Sequence, residues 1–94
     1  MRYTIYESKS AQAQLARLWL GADSATRQAI TQASHRADQL LTSPSAPTAG
    51  EFCPRPGLPT TRCLDLGPLV IEFVVMPSFR AVHVRGYHLA PWRP

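Results

Sequence analysis

The chain has 94 residues, of which 45% are apolar and 17% are charged. This length allows one hydrophobic core and excludes two independent domains, and the composition is that of a globular chain, so we expect a single domain over residues 1–94. Ten basic residues against six acidic ones give a net charge of +4 at pH 7, which favours an acidic partner such as nucleic acid or an acidic polypeptide.

The sequence carries no signal for a membrane, a cofactor or a metal. No apolar run approaches the roughly 20 residues that span a bilayer, and the start MRYTIYESKS lacks the apolar segment of a signal peptide. We therefore expect a cytoplasmic protein without a membrane partner. In a reducing compartment, and without a Cys-x-x-Cys spacing, Cys53 and Cys63 are predicted to be free thiols. No glycine-rich phosphate loop and no metal-ligand spacing occur, so we predict neither cofactor nor metal.

The first predicted elements are a strand and a helical hairpin. Residues 2–8, RYTIYES, are rich in β-forming side chains and predict a short strand. Which face of this strand is buried is left undecided, because Tyr6 is amphipathic. Helical spacing then defines a first apolar stripe, consisting of Ala11, Leu15, Leu18, Trp19 and Ala22. Asp23 or Ser24 can cap a second helix. Its stripe consists of Ile30, Ala33, Ala37, Leu40 and Leu41. Both stripes, Trp19 included, are predicted to enter one core.

The second half of the chain predicts an extended crossing followed by strands. Residues 43–60 contain five prolines, which exclude a long helix or a central strand and leave room for a short edge pairing at residues 51–53. Strand patterns follow at residues 61–66, 69–76 and 80–89. Their connections are too short for a parallel crossover, so these strands are antiparallel neighbours. The prediction is an α+β fold of order β-α-α-β-β-β, with a helical hairpin on one face of a small, four-stranded antiparallel sheet.

Alternation along these strands predicts the face that each side chain occupies. The residues predicted to face the helices are Leu64, Leu66, Leu69, Ile71, Phe73, Val75, Val82 and Val84. The polar residues predicted on the opposite side, which we call the open face, are Asp65, Glu72, His83, Arg85 and Tyr87, beside Cys63. They fit either a solvated sheet face, where an exposed ion pair contributes about 0–1 kcal/mol, or a site for acid–base chemistry on a phosphate, with a tyrosine stacked on a base.

Five segments, taken in order, resemble one known family. They are SAQAQLARLWLGA, RQAITQASHRADQLLTSP, GE, RCLDLGPLVIEFVV and RAVHVRGYHL. In order, spacing and total length the sequence resembles the RelE/ParE superfamily of bacterial type II toxin–antitoxin systems, which includes plasmid stabilisation systems. The resemblance implies the same α+β fold and a toxin that inhibits growth. It also implies a cognate antitoxin that wraps and neutralises the toxin, in a hetero-oligomer; a homo-oligomer stays open as well.

The resemblance also implies candidate site residues. RelE-like members cleave messenger RNA in the ribosome without a metal, as mRNA interferases. For such a nuclease the matching catalytic residues are His88, Arg85, Tyr87 and Glu72, with His88 the main acid or base. The matching nucleic-acid contacts are Arg62, Arg80 and His83.

The chain departs from the RelE pattern in its basic residues. Leu69 and Val70 stand where RelE-like nucleases tend to carry an arginine, and Arg62 is the single basic residue of the preceding strand. Three readings follow: a nuclease with a depleted site, a ParE-like inhibitor of DNA gyrase without hydrolytic activity, and a degenerate member that binds only its antitoxin. The second would use basic residues of the helical hairpin, namely Lys9, Arg17, Arg27 and Arg36.

Overall fold

The computed structural model describes residues 2–54, 56–57 and 59–89, which form a five-stranded mixed sheet and two α-helices. In chain order the elements are β1 (Thr4–Glu7), α1 (Lys9–Leu20), α2 (Ser24–Thr42), β2 (Glu51–Phe52), β3 (Arg62–Leu66), β4 (Leu69–Met76) and β5 (Ala81–Leu89). Single 3₁₀ turns lie at Ala46–Thr48 and Pro77–Phe79.

The sheet has the strand order β1-β5-β4-β3-β2. The predicted α+β order and the antiparallel pairing of β3, β4 and β5 are confirmed. Two features differ from the prediction of a four-stranded antiparallel sheet. The edge pairing of residues 51–52 adds a fifth strand, and β1 pairs with β5 in parallel. Short turns fix the direction of β3, β4 and β5, whereas β1 is connected through two helices that leave its direction free.

Side-chain caps begin both helices, and the cap of α2 is one of the two that the sequence predicts. Ser8 caps α1 by accepting the Ala11 N–H, and Asp23 caps α2 by accepting the Thr26 N–H. The latter bond holds the pKa of the exposed Asp23 carboxyl below its usual value. Gly67, with φ +79°, occupies the first position of the two-residue β3–β4 turn, where positive φ favours glycine.

The core lies between the two helices and one face of the sheet. Its largest fully buried side chains are Phe73, Ile30, Leu41, Leu69, Ile71 and Val82. Helix-facing positions of β3, β4 and β5 up to Val84 are therefore as predicted. Trp19 differs, because it stays 40% exposed and packs under the Arg27 guanidinium, 4.5 Å from the ring centroid. Arg27 also donates to the carbonyls of Trp19 and Leu20, so this contact closes the helical hairpin instead of filling the core.

A disulfide joins Cys53 and Cys63, whose Cα atoms are 5.9 Å apart. The prediction of two free thiols, which rested on an expected reducing compartment and the lack of a Cys-x-x-Cys spacing, is wrong. The pairing of β2 with β3, in which Glu51 lies opposite Cys63, brings the two cysteines together. Over the part of the chain that is described, neither helix is long and apolar enough to cross a bilayer.

Candidate functional site

A β-bulge interrupts β5 at Arg85. Phe73 of β4 lies opposite Val84, whereas the preceding Glu72 lies opposite Gly86, so Arg85 is an extra residue in β5. The extra residue reverses the alternation of side chains beyond it. Tyr87 consequently lies opposite Ile71 on the helix side, and His88 lies opposite Val70 on the open face. The predicted position of Tyr87 on the open face is therefore wrong.

Tyr87 is held by two contacts on the helix side. Its hydroxyl donates to Oε2 of Glu7 and its backbone N–H donates to Oε1 of Gln14, both at 2.9 Å. β1 ends at Glu7 and does not continue alongside Tyr87. The Gln14 side chain of α1 therefore accepts the Tyr87 N–H that a longer β1 would have faced. Burial, followed by the hydrogen bond and charge of Glu7, raises the pKa of Tyr87. Tyr87 thus keeps its proton and stabilises the fold, away from the open face.

His88 and Glu72 form an acid–base pair on the open face. Nδ1 of His88 lies 3.6 Å from Oε2 of Glu72, and the two side chains are 30% and 20% exposed. This separation suits an ion pair when the imidazole is protonated and is longer than a hydrogen bond. Arg85, the unpaired residue of the bulge, is exposed and lies between His83 and His88 in β5. The bulge therefore brings two of the predicted site residues, His88 and Glu72, together.

The remaining predicted arginines lie elsewhere. Arg62 is opposite Phe73 on the helix side, where its guanidinium donates to the carbonyls of Ala49 at 2.8 Å and Gly50 at 2.9 Å. The same guanidinium lies 4.3 Å from the centroid of the Phe52 ring. Arg62 thus secures the crossing that precedes β2, and the structure does not bring it to the open face.

Arg80 occupies the turn between β4 and β5, with φ +47°. Its carbonyl accepts the N–H of Thr4, which aligns the start of β1 with β5. At a rise of ~3.3 Å per residue, its Cα is roughly 25 Å along the strand from that of His88. Arg80 and the His88–Glu72 pair therefore cannot contact one phosphate.

His83 lies on the open face and stacks on Tyr6 of β1. The ring centroids are 5.4 Å apart and the ring planes meet at 24°. The sequence could not identify this pair, because the parallel register that places Tyr6 beside His83 arises from the pairing of the first strand with the last. The open face is also partly apolar, since Val70 and Ala81 are buried on this side.

No protein-family model matches the chain, and no curated protein matches it. Solved structures do. A chain of the toxin–antitoxin complex RelBE2 from Mycobacterium tuberculosis aligns with a TM-score of 0.72 at 13% identity, covering 95% of this chain and 99% of that chain. A chain of the chromosomal ParDE system from P. aeruginosa aligns with a TM-score of 0.68 at 15% identity, covering 93% and 95%. This protein has a RelE/ParE-like toxin fold.

The isolated E. coli RelE toxin shares the RelE/ParE-like fold, with a TM-score of 0.58 and 17% identity over 97% of this chain and 87% of that one. The TM-scores establish the fold. Identities this low leave the site to be argued from the side chains of this chain. Those side chains are His88, Glu72 and Arg85. In the described segments no group of three or more His, Cys, Asp or Glu side chains is arranged to hold a metal ion.

Proposed function

We propose that this chain is the toxin of a type II toxin–antitoxin pair and inhibits growth by cleaving ribosome-bound messenger RNA. The RelE/ParE-like fold, aligned over nearly the whole chain, supports the toxin assignment. The contact between His88 and Glu72 supports the cleavage reaction, because it is the acid–base pair on the face that the helices leave uncovered. The cleavage reaction depends on this pair, whereas the toxin assignment depends on the fold.

The proposed reaction needs no metal. A ribose 2′-OH loses its proton to a base and attacks the adjacent phosphorus, and the bond from phosphorus to the 5′-oxygen breaks as that oxygen receives a proton from an acid. His88 and Glu72 supply the groups that exchange these protons. Arg85 supplies positive charge to the phosphate as negative charge builds up on its oxygens. Tyr87 and Arg62 have no place in this scheme, since both are engaged on the helix side.

The proposed partner is a cognate antitoxin. RelBE2 and ParDE are described as a toxin–antitoxin complex and a toxin–antitoxin system, which supports an equivalent partner for this chain. The net charge of +4 favours an acidic partner segment. Where a small open reading frame lies next to the gene, co-expression with its product should restore growth and allow the two chains to be purified as a complex.

The decisive experiment is cleavage of messenger RNA on programmed ribosomes by the purified protein. His88→Ala and Glu72→Gln are each expected to lower the cleavage rate 100-fold or more, since general acid–base groups contribute roughly 10²- to 10⁴-fold. His35→Ala is the matched control, because His35 is an exposed histidine on α2 away from the open face. Equal rates for wild type and both site variants would refute the nuclease assignment.

A second candidate is non-catalytic inhibition of DNA gyrase. It is favoured by the position of Arg62, which leaves Arg85 as the single arginine on the open face of the described strands. A supercoiling assay separates the two functions. Inhibition of gyrase that survives His88→Ala and is lost in the Arg17→Ala/Arg36→Ala double variant would support this candidate. Absence of both activities, with antitoxin binding retained, would indicate a degenerate toxin.

A further inference from the structure

We infer that Tyr6 and His83 form a stacking platform that binds one base of single-stranded RNA beside the His88–Glu72 pair. The inference rests on the proposed function, because it assumes an RNA substrate on the open face. It adds Tyr6 of β1, which is not among the predicted site residues, to His83, which is, and makes Tyr6 a residue that positions the substrate.

The geometry leaves one face of the Tyr6 ring available. His83 stacks against the other face, with 5.4 Å between centroids. β1 is an edge strand of the sheet, so no described strand lies alongside Tyr6 on the side away from His83. A base placed on the outer face of the Tyr6 ring would extend the stack to three rings, and base–aromatic stacking accepts any base because each has a π-face.

Tyr6 is unlike the other tyrosines of the chain. Tyr3 and Tyr87 pack against the core, whereas Tyr6 is 53% exposed. Within the described residues the Tyr6 hydroxyl makes no hydrogen bond, while the hydroxyl of Tyr87 donates to Glu7. Packing against His83 explains a modest gain in sheet stability, since cross-strand pairs contribute about 0.2–1 kcal/mol. This packing does not explain why so much of the Tyr6 ring is exposed.

The platform is close enough to serve the same RNA strand as the acid–base pair. Tyr6 lies opposite His83, and His83 lies opposite Val74, which is two residues from Glu72 in β4. Two strand spacings of ~4.8 Å and two residue steps of ~3.3 Å separate the Cα atoms of Tyr6 and Glu72 by roughly 12 Å. Arg85 comes two residues after His83 along β5, so its guanidinium can contact the phosphate backbone between the two places.

The test measures kcat and KM for messenger RNA cleavage on programmed ribosomes. Tyr6→Leu is expected to raise KM about 5- to 150-fold, the range that corresponds to the loss of one stacked base. Its kcat should change less than twofold, because Tyr6 does not reach the reacting atoms. Tyr6→Phe keeps the ring and should leave both constants within twofold of wild type. Thermal unfolding midpoints of the two variants control for damage to the fold.

A second measurement links the ring to a base. Messenger RNA carrying one abasic nucleotide, moved through positions beside the cleaved bond, should raise KM for wild type at one position and should add no further increase for Tyr6→Leu. The platform would be overturned, and the nuclease assignment left standing, by either of two results with a wild type that cleaves RNA. One is a KM for Tyr6→Leu within twofold of the wild-type value; the other is that the effects of losing the ring and losing the base are independent. A wild type that cleaves no RNA on ribosomes overturns both.

Discussion

The two halves of β5 follow different structural rules. In the first half, Ala81–Val84, the strand is paired on both sides, with β1 and with β4, and Val82 and Val84 are buried as simple alternation predicts. In the second half, residues 86–89, β1 has ended and the Gln14 side chain of α1 contacts the strand instead. Alternation holds where strands flank β5 on both sides and shifts where a helix side chain replaces one of them.

The shift changes which side chains reach the open face. If Arg85 were paired with Glu72 in a regular strand, continued alternation would place Tyr87 on the open face and His88 under the helices. The bulge exchanges them, which buries the phenol and brings the imidazole to Glu72. Bulges next to active sites commonly redirect a side chain in this way. The following changes test whether the first half depends on apolar packing and the second on polar contacts.

The largest loss is expected from Phe73→Ala. Phe73 is fully buried and forms, with Val84, the last pair before the bulge. Removing its ring should lower the free energy of unfolding by about 3–5 kcal/mol, measured by urea titration. Val74→Ala, on the open face of the same strand, is the control and should cost clearly less. A loss below about 1 kcal/mol for Phe73→Ala would mean that the first half does not depend on apolar burial.

Loss of the disulfide should come next in size. A crosslink over a sequence separation of 10 residues is expected to contribute roughly 2.5 kcal/mol, mainly by restricting the unfolded chain. The Cys53→Ser/Cys63→Ser double variant measures this by urea titration. Because the crosslink joins β2 to β3, the exchange rates of β5 amides should rise equally in both halves. A selective rise after Arg85 would show that the bulge depends on the distant β2 edge.

Gln14→Ala tests the second half directly. The change leaves the Tyr87 N–H without its acceptor, and an unsatisfied, partly buried donor costs about 1–3 kcal/mol. Hydrogen exchange should accelerate at Tyr87 while Val82 remains protected. Gln28→Ala, at an exposed position of α2, is the matched control and should stay within about 0.5 kcal/mol of wild type. Equal acceleration in both halves would argue against local support by α1.

Tyr87→Phe removes a single hydrogen bond. The Glu7 carboxylate loses the hydroxyl that donates to it, and we expect a loss of about 1 kcal/mol in the free energy of unfolding. Tyr6→Phe provides a control with the same chemical change at an exposed ring, and should be neutral. If both substitutions cost the same, the contact with Glu7 does not stabilise the second half of β5.

The smallest effect at ordinary pH concerns the titration of Tyr87. Its folded pKa is raised by burial and by Glu7, above the unfolded value of about 10. The unfolded chain therefore releases this proton first, so the stability that Tyr87 contributes is constant below pH ~10 and is lost as pH rises further. The difference in unfolding free energy between wild type and Tyr87→Phe should narrow above pH ~10. A difference that widens there would reverse the assigned direction.

The order of elements and most of the core followed from the sequence, because both depend on local signals. Asp23 caps α2 by a contact with a residue three positions away, and Leu69, Ile71 and Phe73 enter the core through the two-residue period of a strand. The candidate site was predicted only in part. Glu72 and Arg85 were placed on the open face by alternation, whereas Tyr87 and Arg62 were assigned to chemistry although both contact the rest of the fold.

Tertiary structure alone decided which groups meet. The parallel pairing of β1 with β5 sets Tyr6 beside His83, and the pairing of β2 with β3 joins Cys53 to Cys63. One residue, Arg85, changes the face of every side chain that follows it in β5, and no local pattern marks it as unpaired. Its position is set by contacts that are far apart in the chain, with β4 on one side and Gln14 on the other. A local period therefore predicts the strand, and long-range register determines the site.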